Sequence, residues 1–70
     1  MSNKTLGEFI KHLRLSQNIS TSEIAKNLTI SEVDYIRCEN GEISNYVDDL
    51  MIIADMLSVE ESTLIEKYKD

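Results

Sequence analysis

The sequence predicts an all-α fold, a compact bundle of about five short helices that forms one domain over residues 1–70. Apolar residues recur three or four positions apart, and this spacing gathers them on one face of a helix. Hydroxyl residues also stand three positions before acids at several places. This pairing is typical of a helix N-terminus, because the hydroxyl and the carboxylate satisfy backbone N–H groups that lack a helical partner. No segment shows a pattern that favours a β-strand over a helix.

The first two predicted helices each open at such a capping pair. Thr5 with Glu8 predicts the first helix, which runs to about residue 17 and has an inner face formed by Leu6, Phe9, Ile10 and Leu13. Ser20 with Glu23 predicts a second helix of barely two turns. That helix ends between residues 27 and 29, and its inner face is formed by Ile24, Ala25 and Leu28.

The third predicted helix opens at Ser31 with Asp34 and ends at Asn40-Gly41, because glycine readily takes the left-handed conformation that closes a helix. Its spacing places Tyr35 and Cys38 inside the bundle, and we therefore expect Val33 and Ile36 on the outer face.

A loop over residues 42–46 leads to a fourth helix with an apolar pattern of Val47, Leu50, Met51, Ile53, Ala54 and Leu57. Ser58 with Glu61 predicts the start of a fifth helix, which carries Leu64, Ile65 and Tyr68. In the early turns of these two helices, acids such as Asp48 and Asp49 favour the helix dipole. Met51 and Met56 with Ile52 fit either a dimer contact or the core, and the sequence does not choose between them.

Composition and charge exclude several classes of function. Cys38 is the only cysteine, so the chain has no internal disulfide, and no residues at suitable spacing complete a metal site. No nucleophile stands with a base and no glycine-rich loop can bind phosphate, so we expect neither an enzyme nor a cofactor. His12 is expected to be solvated. No apolar run is long enough to span a bilayer, and no secretion signal is evident, which predicts a cytoplasmic protein.

Charge is distributed unevenly along the chain, which has a formal net charge of −6. Residues 1–30 carry four basic and two acidic side chains, whereas residues 31–70 carry three basic and eleven acidic ones. The segment 20–46, which includes the second and third helices, has two basic and five acidic side chains. DNA affinity rises with the number of phosphates that cations neutralise, so the excess of acids in this segment lowers the DNA affinity expected of it.

Two short helices joined by a tight turn, the second of them ending sharply, have the layout of a helix-turn-helix unit, here at about residues 21–40. Over residues 6–65 the chain resembles the Cro/repressor family, also called lambda-repressor-like or XRE-type regulators. The resemblance is carried by Leu6-Gly7-Glu8, Ile10, Leu13-Arg14, Ser22-Glu23-Ile24-Ala25, Ile30-Ser31, Glu39-Asn40-Gly41, Leu50, Ile53-Ala54, Leu57 and Val59. It implies a transcription regulator of bacterial, phage or mobile-element origin that binds operator DNA as a homodimer.

The resemblance also implies the roles of individual residues. Arg14 and Glu39 stand where family members form a structural ion pair. The phosphate-binding positions at the start of the second helix are Thr21 and Ser22, and Asn40 lies where the DNA backbone is contacted. The base-reading positions of the third helix are Glu32, Val33, Asp34 and Arg37.

An alternative hypothesis follows from the acids and apolar residues of the same region. An exposed apolar patch with carboxylates around it is more typical of a protein-binding surface than of a phosphate-binding one. The fold would then bind another protein, as an antagonist or a DNA mimic. The predicted surface consists of Val33, Ile36, Glu42, Ile43 and Tyr46.

Overall fold

Five α-helices follow one another in a computed structural model, which describes all residues 1–70 and contains no β-strand. They are α1 (Asn3–Ser16), α2 (Thr21–Ala25), α3 (Glu32–Glu39), α4 (Val47–Leu57) and α5 (Glu61–Lys69). The predicted all-α class and the number of helices are therefore confirmed. None of the helices has the length and apolar character needed to cross a membrane.

The core lies where all five helices meet. α1 packs against α5 and α3, α2 packs against α3, and α4 packs against α5. Burial of one large aliphatic side chain contributes about 1.5–3 kcal/mol, so a small set of such residues accounts for most of the favourable burial. This set is Leu6, Ile10, Ile24, Tyr35, Leu50, Ile53, Ala54, Leu57 and Leu64.

Two of the four predicted capping pairs are confirmed. Ser20 forms a reciprocal capping box with Glu23 at the start of α2. At the start of α3, the Oγ of Ser31 accepts a hydrogen bond from the backbone N–H of Asp34 at 3.2 Å. Both pairs depend only on residues within one turn, which explains why the sequence was sufficient to locate them.

The predictions for Thr5 and Ser58 are wrong. α1 begins earlier, because the Oγ of Ser2 accepts from the N–H of Thr5 at 3.0 Å. Ser58 closes α4 in a left-handed conformation with φ of 59°, and α5 begins after Glu60 without a side-chain cap. A hydroxyl between two helices can therefore belong to the end of the first and not to the start of the second.

The connection between α2 and α3 is longer than the predicted tight turn. α2 ends at Ala25, and residues 26–31 lead to α3. Asp49 of α4 holds this connection: its Oδ1 accepts from the N–H of Thr29 at 3.0 Å and its Oδ2 from the Thr29 hydroxyl at 2.9 Å. Asp49 is fully buried, so the prediction of a role limited to the helix dipole is wrong for this residue.

Two glycines allow backbone segments to meet closely. Gly41 has φ of +76°, which confirms the predicted left-handed stop after α3. A Cβ on Gly7 of α1 would lie 2.6 Å from the carbonyl oxygen of Cys38. The absence of a side chain at Gly7 therefore lets α1 approach the last turn of α3.

Candidate functional site

The outer face of α3 is the candidate site, and its orientation agrees with the sequence pattern. Tyr35 and Cys38 are buried, whereas Val33 is 68% exposed and Ile36 is 39% exposed. α2 and α3 are separate helices rather than one continuous rod. Both hypotheses drawn from the sequence require this arrangement.

A buried ion pair fixes α3 relative to α1. The Nε of Arg14 donates to Oε2 of Glu39 at 2.6 Å, and its Nη2 donates to Oε1 at 3.0 Å. The third nitrogen, Nη1, donates to the carbonyl of Ile19 at 2.9 Å. The hydrogen bond to Glu39 raises the pKa of Arg14, so the guanidinium stays charged. The predicted Arg14–Glu39 pair is confirmed, and it binds three segments of the chain together.

Two further buried groups of α3 belong to the core rather than to the site. Burial raises the pKa of the Tyr35 phenol, and the nearby Glu39 carboxylate acts in the same direction. The Tyr35 hydroxyl is buried and has no hydrogen-bond partner. Burial also raises the pKa of the Cys38 thiol, so its reactive thiolate form is disfavoured. The expectation that Cys38 is a packing residue is confirmed.

At the start of α2, two of the predicted site residues contact each other. The hydroxyl of Thr21 donates to Oε2 of Glu32 at 2.7 Å. This contact places a carboxylate of α3 beside a residue predicted to bind phosphate. Ser22 is exposed, so a predicted phosphate donor remains accessible next to this contact.

Arg37 is the cation on the outer face of α3, and it lies between two acids. Its Nη1 is 3.6 Å from Oδ1 of Asp34, and its Nε is 3.7 Å from Oε1 of Glu42. Asn40 also donates to Glu42, at 3.5 Å. Exposed ion pairs of this kind are worth only about 0–1 kcal/mol, so Arg37 can leave them for a ligand at small cost.

The predicted protein-binding surface is largely exposed but not uniform. Val33, Ile36 and Tyr46 are exposed, and Tyr46 reaches 64%. Glu42 is exposed but turned toward Arg37 and Asn40. Ile43 is partly buried, so it contributes less to this surface than the sequence predicts.

Lys4 is a candidate site residue that the sequence analysis missed. A Cβ on Gly41 would lie 2.6 Å from the Cα of Lys4, so the exposed start of α1 sits against the end of α3. The loop after Gly41 carries no lysine or arginine of its own. Lys4 brings a cation to this place. Lys4 and Gly41 are 37 positions apart, so no local pattern could indicate their contact.

The remaining sequence predictions concern single side chains. His12 is exposed, as expected. Of the residues considered for a dimer contact, Met51 is exposed, whereas Ile52 and Met56 are half-buried and Met56 packs against the core. No three His, Cys, Asp or Glu residues lie close enough together to hold a metal ion.

No protein-family model and no curated protein matches this chain.

Proposed function

We propose that this protein is a small helix-turn-helix transcription regulator that binds operator DNA through α3 in the major groove. The observation that carries the proposal is the outer face of α3, which projects Glu32, Val33 and Arg37 while the buried Arg14–Glu39 pair holds the helix in place. A recognition helix needs this combination of a fixed axis and exposed side chains near its N-terminus.

The side chains on this face can each read a base edge. The guanidinium of Arg37 can donate two hydrogen bonds to guanine, and Val33 can contact the methyl group of thymine. Glu32 and Asp34 can accept from the amino group of cytosine. The face therefore favours a DNA site with guanine opposite Arg37 and cytosine opposite Glu32 or Asp34.

Phosphate contacts would come from both ends of the α2–α3 unit. Thr21 and Ser22 lie at the start of α2, and Asn40 with Lys4 lies at the end of α3. Such contacts position the protein on DNA without reading the sequence. Binding as a two-fold dimer would double their number, and exposed Met51 is the residue we propose for the dimer contact.

Fluorescence anisotropy at low salt tests the DNA proposal. Labelled duplexes of random and host genomic sequence are titrated with the wild type and with Arg37→Gln, Glu32→Gln and a control, Lys69→Gln at the end of α5. Arg37→Gln should weaken binding about tenfold, because a bidentate contact to guanine is worth about 1–3 kcal/mol. Glu32→Gln should tighten binding to random duplexes, where Glu32 has no fixed cytosine partner and its charge only repels phosphate. Flat titrations of the wild type up to high micromolar protein would reject the proposal.

A second candidate is the binding of another protein, and the exposed apolar residues on an acidic face favour it. Val33 and Ile36 lie on α3 together with Glu32 and Asp34, and the exposed Tyr46 ends the loop that follows α3 and carries Glu42. A partner with a basic surface that otherwise grips DNA, such as a regulator or a nuclease, has the complementary chemistry.

The two candidates predict opposite effects of the same variant. Glu32→Gln should weaken capture of a basic partner in a pull-down from the native host, whereas it should tighten binding to random DNA. The double variant Val33→Ser/Ile36→Ser should abolish capture, because a few residues near the centre of an interface carry most of its binding energy. Unchanged capture by this double variant would reject the protein-binding candidate.

A further inference from the structure

The two ends of α3 are attached to different parts of the chain. At the C-terminal end, the buried pair of Glu39 with Arg14 ties the helix to α1. The N-terminal end follows directly on the connection of residues 26–31, and Thr29 in this connection is bound by Asp49 of α4. The orientation of α3 is therefore set at two points, one on α1 and one on α4.

Both carboxylate oxygens of Asp49 bind the same residue. Oδ1 accepts from the backbone N–H of Thr29 at 3.0 Å, and Oδ2 accepts from its hydroxyl at 2.9 Å. Two such bonds fix the orientation of Thr29 as well as its distance. The bond from Nδ2 of Asn27 to the sulfur of Met56, at 3.6 Å, also joins the connection to α4, but thioether sulfur is a weak acceptor. Asp49 is thus the stronger polar link between α4 and the connection.

A carboxylate is a costly side chain to bury at position 49. Asp49 is fully buried, and none of the three ion pairs of the protein includes it. Its place in the first turn of α4, where the helix dipole favours negative charge, and its two hydrogen bonds offset the loss of water. An apolar side chain would avoid this cost. The gain from the carboxylate is therefore the fixed position of Thr29 more than stability.

The link lies close to the residues that we propose to read bases. Glu32 and Val33 begin α3, and only two residues separate Glu32 from Thr29. The other end of α3 stays tied to α1, so release of Thr29 would tilt the helix without detaching it. A tilt displaces the side chains that read bases, whereas the non-specific attraction to phosphate depends on charge alone.

We propose that Asp49 is a positioning residue for DNA recognition, which holds the N-terminal end of α3 in place through Thr29. The proposal rests on the proposed function of α3 as a recognition helix. It assigns to Asp49 an effect on the choice of DNA sequence, although the residue is too deeply buried to touch DNA itself.

Two matched pairs of variants test this role in the full chain. Asp49→Ala removes the link, and its control is Ile53→Val, another change at a fully buried position of α4. Thr29→Val removes only the hydroxyl, and its control, Thr29→Ser, keeps it. Thr29 is exposed, so this second pair should fold even if Asp49→Ala does not. Circular dichroism at the assay temperature checks that each variant is folded.

Anisotropy titrations compare a random duplex with a duplex that the wild type has selected from a random pool. Asp49→Ala should lower affinity for the selected duplex about tenfold, as the loss of one base contact would. It should lower affinity for the random duplex by less than about twofold, because the charge of the interface is unchanged. Thr29→Val should show a smaller loss of the same kind. Ile53→Val and Thr29→Ser should keep the wild-type ratio of the two affinities.

Hydrogen exchange of the Thr29 amide gives a readout that needs no DNA. Exchange should be faster in Asp49→Ala than in the wild type or Ile53→Val, since the link protects this N–H. Unchanged exchange in Asp49→Ala overturns the proposal. So does faster exchange with an unchanged ratio of affinities, or a ratio that each control alters as much as its partner variant. A wild type that selects no duplex would instead reject DNA binding itself, and this role with it.

Discussion

The buried Arg14–Glu39 pair shows how a single interaction positions a surface without belonging to it. Both side chains are almost entirely buried, and every hydrogen bond of the guanidinium described above goes to protein. Removal of charges from water is costly, and the bidentate geometry offsets this cost only while both partners are present. The pair therefore contributes less to stability than to the fixed orientation of α3.

Loss of one partner should be far more damaging than loss of an exposed acid. Glu39→Gln should lower the free energy of unfolding by about 3 kcal/mol, because the guanidinium of Arg14 stays buried without its counter-charge. Glu42→Gln, which changes the exposed acid beside Arg37, should alter it by less than about 1 kcal/mol. Urea denaturation of both variants at pH 7 measures the difference. Similar values for the two would show that the pair does not act as a buried ion pair.

Tyr35 should make the protein sensitive to alkaline pH. Burial raises the pKa of its phenol above the ordinary value of 10.0, so the folded state keeps a proton that the unfolded state releases. The resulting stability is fully present below about pH 10 and is lost as the pH rises further. Tyr35→Phe removes this dependence, and at neutral pH it should leave the free energy of unfolding unchanged or raise it, since the buried hydroxyl has no hydrogen-bond partner.

Urea denaturation of the wild type and Tyr35→Phe between pH 7 and pH 11 measures this effect. Burial also raises the pKa of Cys38, so both proteins lose stability at alkaline pH for this reason. The difference in stability between the two proteins therefore reports Tyr35. Parallel curves over the whole range would contradict the prediction.

Among the helices, the close approach of α1 to the end of α3 depends on Gly7. Alanine at this position would improve the helix propensity of α1 by about 1 kcal/mol. However, its Cβ would clash with two backbone carbonyls of α3, those of Cys38 and Glu39, which cannot turn away as a flexible side chain can. The clash should prevail, because overpacking typically costs about 1–3 kcal/mol and here it acts on backbone.

Gly7→Ala should therefore lower the midpoint of thermal unfolding by several degrees, about 4–8 °C for each kcal/mol in a domain of this size. Thr5→Ala, an exposed change in the same helix, should leave the midpoint unchanged or raise it slightly. Circular dichroism melting curves compare the two variants. A higher midpoint for Gly7→Ala would mean that α1 and α3 are farther apart than described.

At the scale of the whole molecule, the charge distribution limits how DNA binding can work. The chain carries thirteen acidic and seven basic side chains, and Lys4 and Arg37 are the two cations among the residues of the proposed interface. Each phosphate that a cation neutralises contributes about −0.9 to the slope of log K against log salt. The DNA affinity of a protein with this charge distribution should thus depend only weakly on salt concentration.

We predict a slope no steeper than about −2 for one protein molecule on duplex DNA, since the proposed interface holds two cations. Lys4→Gln should reduce the magnitude of the slope by about one, whereas Lys69→Gln should leave it unchanged. Anisotropy titrations between low and moderate salt give the slopes. Equal slopes for the wild type and Lys4→Gln would remove Lys4 from the interface.

Local patterns in the sequence determined much of this protein. The number of helices, the caps at Ser20 and Ser31, the stop at Gly41 and the inward direction of Tyr35 all depend on residues within one or two turns of one another. Hydrogen bonds and side-chain periodicity of a helix act over that range, so no knowledge of the rest of the chain is needed. The Arg14–Glu39 pair is different, because its prediction came from a family resemblance.

Only the tertiary structure decided which distant residues meet. Asp49 is buried on Thr29, Lys4 lies against Gly41, and the amide of Asn45 is buried without a hydrogen-bond partner. Each of these depends on how the helices pack, and packing brings together residues that are 20 or more positions apart through the shapes of many side chains at once. A periodic pattern assigns a residue to a face of its helix, but the neighbour on that face is chosen by the fold.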